Sequence, residues 1–354
     1  MRTFHAGFEP EHPPVRVRLG AGVRHEIGAE MIALGLSRAL VLSTREQAAQ
    51  GEAVCAELGD LALGLFAGAV MHTPVEVTGE ALVKASGADC LVAIGGGSTI
   101  GLAKAVALRT DLPQIVLPTT YAGSEATPVL GQTENGVKET LRSPKVQPEV
   151  ILYDPELVAT LPSAMTVTSG LNAIAHAVEA LYARDRNPLS DQLALGGIRA
   201  FVTGLPGVVA APGDLVAREE TLFGSWLCGT VLAQVGMALH HKLCHTLGGR
   251  FNLPHAEMHA ILLPHTVAYN EVAASAALAP VADVLGGPVG GGLYDLAASL
   301  GAPQALRALG VVETDLDEAA ELAVRNPYWN PRPIEKAGIR ALLQGAWEGS
   351  RPRS

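Results

Sequence analysis

Four histidines stand close together in the second half of the chain, at positions 240, 241, 245 and 255. His241 and His245 are four residues apart, so on a helix their imidazoles lie on one face, one turn apart. Upstream, Asn172 and His176 have the same four-residue spacing. Two facing helices that each carry such a pair can build a metal site or a polar catalytic site inside a helical bundle.

The residues around this group indicate the elements that position it. His240 lies off the face that His241 and His245 share, and we expect it to be a surface residue or a hydrogen-bonded core residue. Gly248 and Gly249 are expected to end the helix, and His255 follows directly after a proline.

The composition excludes several kinds of partner. A net charge of -10 and a pI near 5.6 argue against nucleic acid or an anionic membrane surface. The N-terminus lacks a signal-peptide pattern, and no uninterrupted apolar run reaches the roughly 20 residues that span a bilayer, so we expect a cytoplasmic protein. The four cysteines show no CxxC pairing, which favours reduced thiols over disulfides or a zinc site.

The first part of the chain, from Val15 to about Leu161, alternates short apolar strands with helical patterns. Strands are predicted at 39–43, within 61–70, at 90–94 and at 114–118, with helices at 44–58, 75–85 and 100–108. Valine-, isoleucine- and leucine-rich strands separated by helices are typical of a parallel sheet covered on both faces. Residues 1–161 are therefore predicted to form a doubly wound, Rossmann-like α/β domain that binds a dinucleotide.

The pattern changes at Pro162 to long helical stretches rich in alanine and leucine. Helices are predicted at 164–184, 188–202, 215–247 with interruptions, 255–277 and 293–300. Residues 162–354 are expected to form an all-helical domain, in which Pro280 to Gly292 would be a surface loop or hinge.

Two stretches at predicted strand ends could hold the phosphates of a dinucleotide. Glycines between a strand and a helix let backbone N–H groups approach a pyrophosphate, and the helix dipole favours the anion. The glycines do not form the G-x-G-x-x-G fingerprint or a Walker sequence. Hydroxyls at the next strand end lie where an open α/β sheet places its ligand. The candidate cofactor-binding residues are Ser43, Gly95, Gly96, Gly97, Ser98, Thr99, Thr119, Thr120, Ser124, Lys138 and Leu157.

Six motifs in order along the chain resemble those of the iron-containing alcohol dehydrogenase superfamily. They are Gly95-Gly-Gly-Ser, Pro118-Thr-Thr-x-x-Gly-Ser-Glu, Asp154-Pro, Gly170-x-Asn-Ala-x-x-His176, His241-x3-His245-x2-Gly248 and Pro254-His255. The resemblance implies a nucleotide domain, an all-helical domain as in dehydroquinate synthase-like folds, an active site in the cleft between them, and a homodimer.

The chain departs from the metal-dependent members at the positions that match their ligands. Those members bind the ion through an aspartate and three histidines, and the matching residues here are Asn172, His176, His241 and His255. An amide oxygen is a poorer ligand for iron or zinc than a carboxylate, so no metal is expected. Gly101 is a second departure, because many members have aspartate there.

These departures, together with Asn326-Pro-Tyr-Trp-Asn-Pro-Arg-Pro333, resemble the maleylacetate reductase branch of the superfamily. The resemblance implies that NADH or NADPH reduces the carbon–carbon double bond of a dicarboxylate, giving 3-oxoadipate in aromatic catabolism. The stretch Ser43-Thr44-Arg45 has no acid before Glu46, so nothing is expected to exclude the 2′-phosphate of NADPH.

Reduction of a conjugated ketone places negative charge on the ketone oxygen, and a histidine can stabilise that charge and supply a proton. We assign His245 as the leading acid or oxyanion donor and His241 as its partner. The residues predicted to bind the substrate are Asn172, His176, His255, Tyr328 and Arg332. Two alternatives stay open: a metal-dependent alcohol dehydrogenase that tolerates Asn172, and a nucleotide-binding relative without catalysis.

Overall fold

The structure is a computed structural model that describes residues 15–325 and 328–353, without the side chain of Lys138. The described chain forms two compact units, of which the first contains 15–161 and 213–222 and the second contains 162–212 and 223–353. Residues 213–222 lie within the predicted second domain, 162–354, but in the structure they belong to the first unit. These residues cluster with the first unit because Arg218, fully buried, donates hydrogen bonds to the carbonyl of Leu161 at 2.9 Å and the hydroxyl of Tyr121 at 3.1 Å.

A six-stranded parallel sheet forms the centre of the first unit. Its strands are β1 (Arg16–Leu19), β2 (Ala39–Leu42), β3 (Ala62–Phe66), β4 (Cys90–Gly95), β5 (Gln114–Pro118) and β8 (Val150–Tyr153), in the spatial order β1-β8-β5-β4-β2-β3. A separate antiparallel hairpin consists of β6 (Val129–Glu134) and β7 (Val137–Arg142). The chain reverses direction across the sheet between β2 and β4, and parallel α/β sheets bind ligands at such a switch point.

Alternate residues of the buried strands enter two different cores. On one face, Val41 and Val92 pack with Ile27, Met31 and neighbouring residues of the first helices. On the other face, alternate residues of the same strands pack against later helices. The helices of this unit are α1 (Ile27–Ala33), α2 (Ala48–Leu58), α3 (Val75–Lys84), α4 (Gly97–Thr110) and α5 (Pro155–Val158). The sheet is covered on both faces, which confirms the predicted doubly wound fold.

The second unit is helical throughout its described part. Its helices are α6 (Ser163–Leu181), α7 (Pro188–Ala210), α8 (Leu215–Gln234, shared with the first unit), α9 (Leu239–Phe251), α10 (His255–Leu285), α11 (Val289–Ser299), α12 (Asp315–Val324) and α13 (Lys336–Glu348). Short 3-10 helices occur at Val23–Glu26, Gly59–Leu61, Ser124–Ala126, Pro144–Val146 and Leu306–Leu309. Helix α10 packs against α6, α9, α11 and α13, so it lies at the centre of this unit.

Two predictions about helix ends are wrong. Gly248 and Gly249 do not end α9, which continues to Phe251 and stops where Asn252 adopts a left-handed conformation. Pro280 to Gly292 is not a loop, because α10 continues to Leu285 and α11 starts at Val289. Buried packing outweighs the roughly 1 kcal/mol cost of a glycine within a helix.

Two stretches of the described chain are long and apolar enough to cross a membrane by length and composition alone. They are Pro188–Ala210 and His255–Ser299, and a bent pair of helices, Leu215–Gln234 with Leu239–Phe251, would be a third if taken as one span. Polar residues interrupt both stretches, so neither is an uninterrupted apolar run in the sequence. In the structure α7 packs against α6 and α10, and α10 carries buried polar side chains such as His259 and Asn270.

Candidate active site

Helices α6 and α9 bring His241 against a buried carboxylate. The Nδ1–H of His241 donates to Glu179 Oε2 at 2.7 Å, and Glu179 has no exposed surface. Because a carboxylate only accepts, this contact fixes the tautomer of neutral His241 and leaves a lone pair on Nε2. That Nε2 atom is buried without a hydrogen-bond partner among the described residues. His241 is therefore oriented as a base, or as an acid once it is protonated.

The same carboxylate caps the start of α9. Glu179 accepts from the backbone N–H of Ala238 at 3.0 Å and of His240 at 2.7 Å. The backbone N–H of His241 also donates to Glu179, at 3.4 Å, and the N–H of Leu239 donates to Asn330 Oδ1 at 3.3 Å. A negative charge at a helix N-terminus is stabilised by the free N–H groups and by the helix dipole. Glu179 therefore positions both the helix and the imidazole.

Asn172 and His176 lie on α6, one turn apart and both buried. The ring of His176 stacks on that of His241 with 4.9 Å between centroids. Burial, and then the neighbouring imidazoles, hold the pKa of His176 well below its usual range, so its ring is neutral. Asn172 Oδ1 and His176 Nδ1 are buried without hydrogen-bond partners among the described residues. Such atoms are costly unless a ligand or water supplies the missing bond.

His245 and His255 lie at the exposed edge of this group. Both side chains are exposed, and the ring of His245 is 6.4 Å from that of His241. His255, the first residue of α10, lies with its ring 4.3 Å from that of His259. Ring contacts thus link the four predicted histidines of α6, α9 and α10, with His259 between His241 and His255.

Sequence reasoning missed Glu179 and His259. Glu179 is three residues after His176, which places it on the same helix face, and this spacing could have revealed it. His259 is four residues after His255 and is fully buried. A second cluster consists of His240, Cys244 and His259. One ring nitrogen of each histidine and the cysteine sulfur lie within 4.8 Å of one another. The expectation that His240 is a hydrogen-bonded core residue is confirmed, since it bonds to Thr266 and His259.

Tyr328 and Arg332 belong to the segment before α13, where a cavity of about 220 Å³ is lined by Tyr328, Asn330, Arg332 and apolar neighbours. The guanidinium of Arg332 lies over the ring of Tyr269 at 4.1 Å and donates to its carbonyl at 3.0 Å. Tyr328 Oη is buried without a partner among the described residues, and burial raises its pKa. Asn326, part of the same motif, lies outside the described residues.

In the first unit, the glycine-rich stretch lies at the switch point of the sheet. Gly95 ends β4, and Gly97 begins α4, a helix of 14 residues. A Cβ on Gly96 would lie 2.9 Å from Thr120 Cγ2, so glycine lets the two strand ends pack closely. The N–H of Thr119 donates to the carbonyl of Gly95 at 3.1 Å. The free N–H groups at the start of α4 suit a pyrophosphate.

The predicted hydroxyls around this edge differ in accessibility. Ser98, Thr120 and Ser124 are partly exposed, as is Leu157. Ser43 and Thr99 are fully buried, and the Ser43 hydroxyl donates to the carbonyl of Thr44 at 3.0 Å. Thr119 is nearly buried and accepts a hydrogen bond from Gln47 at 2.8 Å. Lys138 is on β7, and its side chain lies outside the described part of the structure.

Lys104, a buried residue that was not predicted from the sequence, binds the backbone of the loop after β5 that contains Ser124. Lys104 Nζ, on α4, donates to the carbonyls of Ser124 at 2.6 Å, Thr127 at 2.5 Å and Val129 at 3.1 Å. Burial lowers the pKa of Lys104 to about 7. Lys104 therefore fixes the backbone that carries Ser124 relative to the helix that follows the glycines.

The structure also explains Gly101. A Cβ at this position would lie 2.4 Å from the hydroxyl oxygen of Thr73, a buried residue with a φ of 48°. The Thr73 side chain therefore occupies the space that a side chain at position 101 would need.

Two family models match the chain, one over its α/β part and one over its helical part. Residues 14–155 match the iron-containing alcohol dehydrogenase family, and residues 166–347 match the C-terminal domain of the same family. The chain belongs to the iron-containing alcohol dehydrogenase family. Over 341 residues it is 62% identical to maleylacetate reductase of Rhizobium sp. strain MTP-10005, covering 96% of this chain and 97% of the relative. It is 54% identical over 348 residues to maleylacetate reductase of Burkholderia cepacia, covering 98% of each chain.

A solved structure gives the same result for the fold. The crystal structure of maleylacetate reductase from Agrobacterium tumefaciens has a TM-score of 0.96 and 60% identity, covering 99% of this chain and 100% of that one. The architecture predicted from the sequence, an α/β nucleotide domain followed by a helical domain, is confirmed.

The family name implies iron, but the residues at the matching positions do not fit it. They offer one neutral amide and three imidazoles, whereas non-haem iron sites usually include a carboxylate. The carboxylate that contacts this group, Glu179, is already hydrogen-bonded to the His241 ring and to the backbone of α9. No step of the chemistry below therefore passes through a metal.

Proposed function

We propose that this protein reduces maleylacetate to 3-oxoadipate with NADH or NADPH, as part of the catabolism of aromatic compounds. The observation that carries the proposal is the buried group of Asn172, His176 and His241. It contains no carboxylate that could bind a metal, and three of its buried polar atoms have no hydrogen-bond partner among the described residues. The identity of 62% to a protein named maleylacetate reductase supports the choice of substrate.

The reaction consumes maleylacetate, NAD(P)H and one proton, and it yields 3-oxoadipate and NAD(P)⁺. The nicotinamide, when bound, supplies a hydride to the alkene carbon remote from the ketone. Electrons of the double bond then move to the ketone oxygen, and the carbon next to the ketone takes the proton. The chain must therefore stabilise a developing oxyanion and deliver a proton.

His241 and His245 are assigned these tasks. Glu179 at 2.7 Å from Nδ1 stabilises the imidazolium of His241, in the way that a buried aspartate supports the histidine of a catalytic triad. His245, exposed and on the same helix, is the proposed donor to the ketone oxygen. His255, Asn172 and His176 shape the pocket and bind a substrate carboxylate.

The second carboxylate of the substrate needs a cationic or hydrogen-bonding group, and Tyr328 and Arg332 are the proposed groups. The hydroxyl of Tyr328, buried and without a hydrogen-bond partner in the described part of the chain, supports this role. One face of Arg332 already lies on Tyr269, so a substrate would approach from the cavity that Arg332 and Tyr328 line.

The deciding experiment follows the loss of NADH absorbance on addition of maleylacetate, with the product identified as 3-oxoadipate. Turnover with maleylacetate, and none with simple alcohols and NAD⁺, is the expected result. Alcohol oxidation without maleylacetate reduction would favour the alcohol dehydrogenase alternative. Cofactor binding without either activity would favour a non-catalytic relative.

Chelation tests the absence of a metal. Because no carboxylate is available at the matching positions, we expect purified protein to contain less than stoichiometric iron or zinc and to keep its activity in EDTA. Loss of activity in EDTA, with recovery on adding a divalent metal, would contradict this expectation.

We further propose a cytoplasmic homodimer that binds neither nucleic acid nor membranes. The net charge of -10 supports the absence of nucleic acid partners. Sedimentation of the purified protein tests the dimer, and fractionation of cells tests the location.

A further inference from the structure

Two fully buried imidazoles behind the active site have no part in the mechanism above. His240 and His259 have no exposed surface, and the rings of both lie 5.3 Å from that of His241. His259 also lies 4.3 Å from the ring of His255. Buried imidazoles are usually satisfied by hydrogen bonds that fix their orientation.

A continuous chain of hydrogen bonds joins these rings to α10. His240 Nδ1 is 3.0 Å from Thr266 Oγ1, and His240 Nε2 is 3.0 Å from His259 Nδ1. Thr266 Oγ1 is in turn 3.0 Å from the carbonyl oxygen of Leu263. At the other end, His259 Nε2 is buried without a partner among the described residues.

The distances favour hydrogen bonds over a metal ion in this cluster. Two ligands of one tetrahedral zinc, each about 2.05 Å from the ion, are about 3.3 Å apart. The facing nitrogens of His240 and His259 are closer, at 3.0 Å, which is the usual length of an N–H···N contact. Cys244 Sγ is 3.6 Å from His240 Nε2, within the range of a weak thiol hydrogen bond. The pKa values of both histidines are lowered by burial, so both rings are neutral.

Neutral rings allow only two directions for the chain. In one, Thr266 donates to the backbone carbonyl, accepts from His240 Nδ1–H, and His240 Nε2 accepts from His259 Nδ1–H. The hydroxyl hydrogen of Thr266 and the ring N–H groups of both histidines then have acceptors, and only a lone pair on His259 Nε2 is left over. The reverse direction leaves a buried N–H on His259 without an acceptor, which is rarer in proteins than an unsatisfied acceptor.

We propose that Thr266, His240 and His259 form a positioning relay that holds His255 and His241 in place through their ring contacts with His259. Both imidazoles of the relay carry their hydrogen on Nδ1. The expected effect of the relay on turnover rests on the proposed function. The direction of its hydrogen bonds does not, because it can be measured without a substrate.

Thr266 offers a matched pair of variants. Thr266→Val keeps the shape of the side chain and removes the hydroxyl, whereas Thr266→Ser keeps the hydroxyl and removes the methyl group. A relay predicts that the valine variant loses about tenfold or more in kcat for maleylacetate reduction with KM for NADH unchanged, and that the serine variant stays within about twofold of wild type. The opposite order, with valine active and serine impaired, would show that Thr266 acts by packing and would overturn the proposal.

A second measurement is independent of turnover. Two-bond ¹H–¹⁵N spectra of histidine-labelled protein report which ring nitrogen carries the hydrogen, with His240→Gln and His259→Gln used to assign the signals. Nδ1–H tautomers at both positions are expected. Nε2–H at His240 would overturn the proposed direction, and stoichiometric zinc that disappears in Cys244→Ser would replace the relay by a metal site. A wild-type protein inactive on maleylacetate would refute the proposed function and leave the spectra to decide the relay.

Discussion

Glu179 shows how much a single residue of this site determines. Its two oxygens accept from the backbone of α9 and from the ring of His241, so one buried carboxylate fixes a helix and a tautomer together. A hydrogen bond to a charged group contributes about 1.5–3 kcal/mol, more than a neutral one. Replacing the Glu179 carboxylate with a neutral group should therefore change the orientation of the His241 ring more than it changes the fold.

Glu179→Gln is expected to lower kcat by about tenfold to a hundredfold, equivalent to about 1.4–2.7 kcal/mol. The glutamine NH₂ group would face N–H donors that the carboxylate accepts from, so the ring of His241 would lose its fixed orientation. NADH affinity should not change, because the glycine-rich edge lies in the other unit. Stopped-flow turnover and NADH fluorescence titration measure the two quantities. A variant with normal kcat would remove Glu179 from the mechanism.

His245→Ala tests the proposed oxyanion donor. The side chain is exposed, so its removal should cost little stability. Loss of one donor to a developing oxyanion typically lowers kcat on the order of a hundredfold or more. We expect that loss in turnover with maleylacetate, while Kd for NADH changes by less than about threefold. Turnover close to wild type would assign the proton to another residue, with His241 next to be tested.

At the scale of helices and strands, the local sequence predicted the strand ends but not the features that depend on contacts between residues distant in sequence. The predicted strands 90–94 and 114–118 match β4 and β5 to within one residue, because apolar runs followed by glycine or hydroxyl residues mark a strand end. The continuation of α9 past Gly248 was not predictable from the local sequence, because two adjacent glycines favour the end of a helix. A Cβ at Gly248 would lie 3.2 Å from Met258 Cε, so a small residue fits at this position within the helix. The partners of Glu179 are likewise about 60 residues away, beyond any spacing rule.

The residues of the turn between β2 and α2 are expected to influence the preference for NADH or NADPH. Its hydroxyl Ser43 is buried, while Glu46 is exposed with a pKa lowered by hydrogen bonds from its own backbone and from Thr44. An ionised carboxylate beside this strand end would repel a 2′-phosphate. Glu46→Gln should therefore raise the ratio of kcat/KM for NADPH to that for NADH by about tenfold, or about 1.4 kcal/mol.

Glu52→Gln is the matched control, because it removes the same charge from an exposed position on α2. Steady-state kinetics with both cofactors would compare the two variants with wild type, in which efficiencies within about tenfold are expected. An equal change in both variants would mean that net charge, and not the position of Glu46, sets the preference.

At the scale of the whole molecule, histidine burial makes stability depend on pH. His265 on α10 is 5% exposed, its Nε2 has no partner among the described residues, and burial lowers its pKa to about 4. In the unfolded chain a histidine has a pKa near 6.5. Between these values the unfolded state binds a proton that the folded state does not, so stability rises with pH there. The contribution is complete above about pH 6.5 and is lost as pH falls towards 4.

The difference between the folded and unfolded pKa of His265 predicts the effect of His265→Gln. This substitution removes the titrating imidazole from both the folded and the unfolded state. Wild type should lose about 3 kcal/mol more unfolding free energy between pH 7 and pH 4 than the variant, since a pKa difference of roughly 2.5 corresponds to about that amount. Urea unfolding at several pH values measures the difference, and His25→Gln, at an exposed histidine, is the control. Because His176, His240 and His259 are also held neutral by burial, the variant should still be destabilised by acid, only less steeply. Identical slopes for wild type and His265→Gln would mean that the folded protein admits a proton at His265 as readily as the unfolded chain does.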